Sequence, residues 1–162
     1  MAIDATIREA NVKDSLRKYL VEAARVAGLP IVFDKGMEVP KSSQGQPLDV
    51  DKWVSIKWGD FFVGSLAVFH FTIFVLSRKD NEGYKLSQTR DKVYDWLLDT
   101  SQTDTCPRIK LYRSVPGVAA SSWEVIGGMM LQVTNDFGKE YTASDGTKFK
   151  YATCRVVWGA VA

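Results

Sequence analysis

Val12, Leu16, Tyr19, Leu20, Ala23 and Ala27 recur at steps of three and four residues, with Arg8, Lys13, Arg17, Lys18 and Arg25 between them. That period gathers apolar groups on one stripe and predicts an amphipathic helix over residues 4–27. Gly28 suits the left-handed turn that ends a helix, and Pro30 keeps it from restarting. Residues 29–33 then read as a short strand or extended link.

Residues 34–49 contain Gly36, Pro40, Gly45 and Pro47, with Ser42, Ser43, Gln44 and Gln46 among them. Such a stretch carries too little apolar surface to order itself as a packed element. Loops of this length usually have a function, so it is the first candidate contact loop. Period-two alternation returns at 53–58, where Val54, Ile56 and Trp58 oppose Ser55 and Lys57, and 60–64 is expected to turn the chain. The next strand, 66–77, has Ala67, Phe69, Phe71, Ile73 and Val75 on one face. Its other face, Leu66, Val68, His70, Thr72, Phe74 and Leu76, is also mostly apolar. A strand with so little polar face is central in its sheet or covered on both sides, and a partner subunit is one such cover.

A second helix is expected over 84–99, with Leu86, Arg90, Val93 and Leu97 on one stripe and Tyr94 and Trp96 at its borders. Ile109 and Leu111 against Lys110 and Tyr112 predict a strand at 108–113, followed by a loop at 114–122 containing Pro116 and Gly117. A longer strand at 123–134 is interrupted by Gly127-Gly128. Residues 136–147 form a polar turn region with a hairpin signal at Asp145-Gly146, and a last strand spans 149–158. Helix, strands, helix, strands is not the strict alternation of a parallel fold. It predicts an α+β domain, 1–162, with a mainly antiparallel sheet and two helices packed on one face.

The 162 residues carry a net charge of +2, with both signs dispersed, unlike a basic nucleic-acid arm. The start, Met1-Ala2-Ile3-Asp4-Ala5, does not resemble a signal peptide, and the stretch 66–76, broken by His70 and Thr72, is shorter than the ~20 residues of a spanning helix. A soluble, cytoplasmically made protein is expected. Cys106, in a loop, and Cys154, in a strand, fit no metal spacing and are expected as unlinked thiols.

The chemistry-bearing residues do not converge in sequence. The only histidine, His70, lies in the most apolar strand and has no signature motif around it. No glycine-rich phosphate loop is present, and Asp136-Phe137-Gly138 lacks the other kinase motifs. Asp91, Asp95 and Asp99 follow one another along a helix as its wet face would, while Asp34, Asp80 and Glu82 match no metal pattern. No catalytic, metal or cofactor residue is therefore expected. Trp53, Phe61, Phe62 and Trp123, at expected strand ends and turns, are instead candidate anchors of a subunit or tube interface.

The order of these pieces resembles a family. A helix ending at Gly28-Leu29-Pro30 precedes the strand with Trp53-Val54, and the long strand runs into Ser77-Arg78-Lys79-Asp80. Gly83-Tyr84 then opens a helix containing Thr89-Arg90-Asp91-Lys92-Val93, Pro107-Arg108-Ile109 starts a strand, and Val156-Val157-Trp158-Gly159 lies near the end. This layout resembles the tail terminator proteins of phages with long non-contractile tails. The resemblance implies a hexameric ring that caps the tail tube, stops its elongation and offers a surface for head joining. It implies copies of itself, the tail tube protein and a neck protein as partners, and a lumen through which DNA passes unread. Such a protein would be assembled in the bacterial cytoplasm and end in the virion, without membrane contact or cofactor. The loop at Gly36, Pro40, Gly45 and Pro47 and the hairpin at Asp136, Lys139, Asp145 and Lys148 would then reach tube, neighbour or lumen. The alternatives are a head–tail connector or neck ring, a small hydrolase using Asp91 or Asp95, and a small-molecule binding domain.

Overall fold

The computed structural model describes residues 8–64 and 66–159. Helix α1 spans Glu9–Ala27, so the expected helical start at 4–7 lies outside the described residues. Its apolar stripe is buried, with Val12, Leu16 and Leu20 at 0% exposure, and Gly28 ends it at φ 70°. Each fully buried Leu contributes about 1.5–3 kcal/mol relative to exposure. After α1 come β1 (Ile31–Phe33), β2 (Lys52–Val63), β3 (Leu66–Ser77), α2 (Tyr84–Leu97), β4 (Arg108–Arg113), β5 (Glu124–Asn135), β6 (Tyr141–Thr142) and β7 (Lys148–Gly159). A three-residue 3-10 turn, Ala120–Ser122, precedes β5.

The strands form one sheet in the order β1-β2-β3-β7-β5-β4, with β6 also paired to β7. Among the described residues, only the β1–β2 pair is parallel. Both helices cover the same face: Leu16 and Leu20 of α1 and Leu86, Val93 and Leu97 of α2 share a core with Val54, Phe69, Ile73, Leu131 and Val156. The fold is therefore α+β, as the pattern predicts. The sheet curls around α1, because adjacent helical residues reach opposite edges. Arg17 sits 4.6 Å from the Phe33 ring in β1, and Lys18 sits 3.9 Å from the Tyr112 ring in β4. α1 also covers part of the β4 edge, where Ser15 Oγ accepts the Tyr112 N–H (2.8 Å) and Asn11 Oδ1 accepts the Ser114 N–H (3.1 Å). An open strand edge invites unwanted pairing, and these side chains close it here.

Two stretches depart from the sequence pattern. Residues 60–63 belong to β2, which passes through a bulge between Trp58 and Phe61 instead of turning. Gly59 permits this, since a Cβ there would lie 2.9 Å from the His70 carbonyl oxygen. The region 136–147 contains the short strand β6, which turns back onto β7.

The polar stretch after β3 starts α2. The buried Asp80 carboxylate accepts the Leu86 N–H (2.9 Å) and the Ser77 hydroxyl (2.9 Å). It thereby satisfies a free donor in the first turn, where the helix dipole also favours negative charge. Burial pushes the Asp80 pKa up, but the hydrogen bonds from Leu86, Ser77, Lys85 and Tyr84 outweigh it and hold it below the ordinary carboxylate value. A lowered folded-state pKa contributes stability that is present above the unfolded value and lost as pH falls through the folded one. Asp80→Ala is thus expected to cost about 1–3 kcal/mol at neutral pH in denaturant unfolding. The gap from wild type should shrink below about pH 4; a pH-independent gap contradicts this role.

Both cysteines are free. Cys154 is fully buried, and burial pushes its thiol up to about 12, with Asp136 adding to the shift. Cys106 is half-buried at the surface. A thiol reagent should accordingly modify Cys106 alone in the native protein and both residues after denaturation; native labelling of Cys154 would show that β7 opens.

Candidate functional site

The site that the fold leaves for function is the sheet face turned away from the helices. Directly paired antiparallel residues share a face. The outer face of β3 and β7 therefore carries the pairs Leu76–Phe149, Phe74–Tyr151, Thr72–Thr153, His70–Arg155 and Val68–Val157. β2 adds Trp53, Ser55 and Phe62 through their partners Leu76, Phe74 and Val68. β5 adds Met130 and Gln132 opposite Val157 and Arg155.

One end of this face is covered by the chain itself. Ser55 Oγ donates to the Gly36 carbonyl (2.6 Å), and Trp53 and Leu76 are fully buried. The segment 34–50 is tied internally by Ser42 N–H to the Gln46 carbonyl (2.8 Å), Leu48 N–H to the Pro40 carbonyl (2.8 Å), and a bridge between Lys41 and Pro47. Arg78 grips it from outside, donating to the carbonyls of Val50 (2.6 Å) and Leu48 (3.0 Å). Next to it, Tyr141 of β6 stacks on Phe149 (5.3 Å) and Tyr151 (5.8 Å).

This changes several sequence expectations. Trp53 is not an interface anchor, because the fold has already buried it within one chain. The segment 34–50 does hold itself in order, through backbone bonds and Arg78 rather than through an apolar core; Pro40 is buried, while Gly36, Gly45 and Pro47 stay exposed. In the 136–148 hairpin, Asp136 accepts the Tyr94 hydroxyl (2.8 Å) and Phe137 plugs the core, so the Asp-Phe-Gly triplet is an anchor for α2. Lys148 is half-buried in β7, whereas Lys139 and Asp145 are exposed.

The other end of the face is open. Phe62 is 57% exposed and Leu66 56%, beside half-buried Val68, Val157 and Met130. His70 meets the Phe62 ring edge-on at 5.9 Å, and Arg155 donates to the Gln132 side chain (2.8 Å) at the polar margin. Phe61 points to the core side, packed against Phe69 and Trp158 (6.2 and 6.0 Å). Trp123 is half-buried; its indole donates to the Val118 carbonyl (3.2 Å), and it lines a groove beside α1 with Val21 and Val115. Of the four anchors, then, only Phe62 lies in the open outer patch. Leu66 and Val68, on the second apolar face that the sequence pattern gives β3, complete it together with Met130 and Val157, which no local pattern marks because they join the patch through strand register.

The acidic residues stay apart. Asp91 pairs with its neighbour Arg90 (3.2 Å), Asp99 accepts Ser101, and Asp95 lies on the exposed side of α2. Among the described residues, no group of three or more His, Cys, Asp or Glu side chains is placed to hold a metal ion. Among the described residues, no helix is long and apolar enough to cross a membrane. A second surface feature lies on the helix side, where α1, α2 and β4 bound a groove of about 890 Å³.

No family model matches the chain, and no curated protein matches it. A solved structure whose name states no activity superposes with a TM-score of 0.55, covering 93% of this chain and 95% of its own, at 9% identity. At that identity the likeness shows a shared fold.

Proposed function

We propose that this chain is a structural subunit of a phage tail, forming a ring that caps the tail tube, ends its elongation and provides the surface for head joining. The observation that carries this proposal is the open apolar end of the outer sheet face. Phe62 and Leu66 stand exposed on paired strands, so burying them costs little ordering entropy. Each such side chain contributes about 1.5–3 kcal/mol when fully covered. The covered end of the same face is closed by loops of this chain, and the open end is the place for another chain.

The order of motifs along the sequence supports the tail terminator assignment in particular. A near-balanced net charge of +2 suits a lumen that passes DNA without holding it. On this reading no residue acts as a catalyst, and the exposed part of loop 34–50 with Lys139 and Asp145 faces the tube or the neck. A neck ring would use the same surfaces and differ in which end of the assembly it binds.

Light scattering and negative-stain images of the purified protein test the proposal. A ring that binds one end of isolated tail tubes and halts their growth is the expected result. A chain that stays monomeric at all concentrations and leaves tube growth unchanged overturns it.

A further inference from the structure

The groove of about 890 Å³ on the helix side has apolar walls of Ala23, Val26, Trp96 and Ile109, and Val26 is 74% exposed. Its rim carries four cations, Lys18, Lys92, Arg108 and Lys110, against two acids, Glu22 and Asp95; Arg108 is ion-paired with Asp104 (2.8 Å), which leaves a surplus of one positive charge. One side of the groove is the edge of β4, the last strand in the sheet order. The Pro107 carbonyl accepts Leu131 N–H on the β5 side, while the Tyr112 N–H faces Ser15 on the other side. By strand alternation, the N–H and C=O groups of Arg108 and Lys110 point away from β5, into the groove. The groove therefore suits an apolar, acidic, strand-like guest.

The β2–β3 tip has these properties. Phe62, Val63 and Leu66 are 57%, 42% and 56% exposed, and Asp60 is the only charged residue in 59–66. Phe62 and Val63 are already extended and fixed by their pairing with Val68 and Ala67. The tip belongs to the sheet and the groove to the helix side, so the two are different surfaces of one molecule. Contact between unlike surfaces is head-to-tail, the kind that closes rings.

We infer that the β2–β3 tip of one copy seats in the α1–α2–β4 groove of the next, with Phe62 and Leu66 against the apolar walls and Asp60 toward the cationic rim. This rests on the ring-subunit proposal and names the two surfaces that join its copies. Phe62→Asp removes the guest, and Lys92→Glu with Lys110→Glu reverses the rim. All three positions are exposed, and Leu66→Glu is a second tip variant should Phe62→Asp misfold.

By light scattering over a range of concentrations, each variant should associate about thirtyfold more weakly or worse than wild type. An equal mixture of the Phe62→Asp and Lys92→Glu/Lys110→Glu chains should form one-to-one pairs and stop, because one intact tip meets one intact groove. Wild-type rings that persist in both variants, or a mixture that does not pair, overturn this contact while leaving the ring proposal standing. A wild type that associates neither alone nor on isolated tail tubes, and leaves their growth unchanged, overturns both.

Discussion

The constraint behind this structure is that β3 is apolar on both faces and so must be covered twice. Ala67, Phe69, Phe71, Ile73 and Val75 face the helices and form the centre of the core. The opposite face belongs to the same backbone and cannot be turned away, because strand side chains alternate with a fixed period of two. The chain meets this demand unevenly. Leu76 and its partner Trp53 are sealed at one end, while Phe62 and Leu66 remain exposed at the other.

The sealed end depends on a few polar side chains near Ser77-Arg78-Lys79-Asp80. Ser77 and Asp80 hold the first turn of α2, while Arg78 holds the 34–50 segment through two backbone carbonyls. Lys85, in the first turn of α2, donates to Asp51 (3.1 Å), the residue that follows the segment, and ties helix and segment together. A short run of sequence thus positions both the helix that covers the inner face and the loop that covers part of the outer one. The run that helps carry the tail terminator resemblance has a structural role of its own here.

Much of the fold was legible because periodicity and punctuation agreed. The three- and four-residue spacing of Leu16 and Leu20, and the alternation through 66–77, correspond to α1 and β3. Gly28 and Pro30 fixed the end of α1 by backbone conformation. Turns were harder. Asp60 and Gly64 look like turn residues, but Gly59 lets β2 bulge past the His70 carbonyl and continue. The 34–50 segment has only scattered apolar residues, Met37, Val39, Leu48 and Val50, so nothing local announces the Arg78 grip that orders it. The candidate interface was legible only in the two-faced apolar pattern of β3 and in aromatic residues at expected strand ends. Whether Trp53 or Phe62 is exposed depends on which loop folds over which strand end, and Met130 and Val157 join the patch through long-range register.

Self-covering at one end and cover by another chain at the other make a claim about solvent access to particular side chains. Hydroxyl-radical footprinting of assembled against dissociated protein reads that access directly. Oxidation of Phe62, Leu66 and Met130 should fall on assembly, while Tyr84, 68% exposed at the start of α2, stays reactive. Equal oxidation of Phe62 and Leu66 in both states would contradict the account.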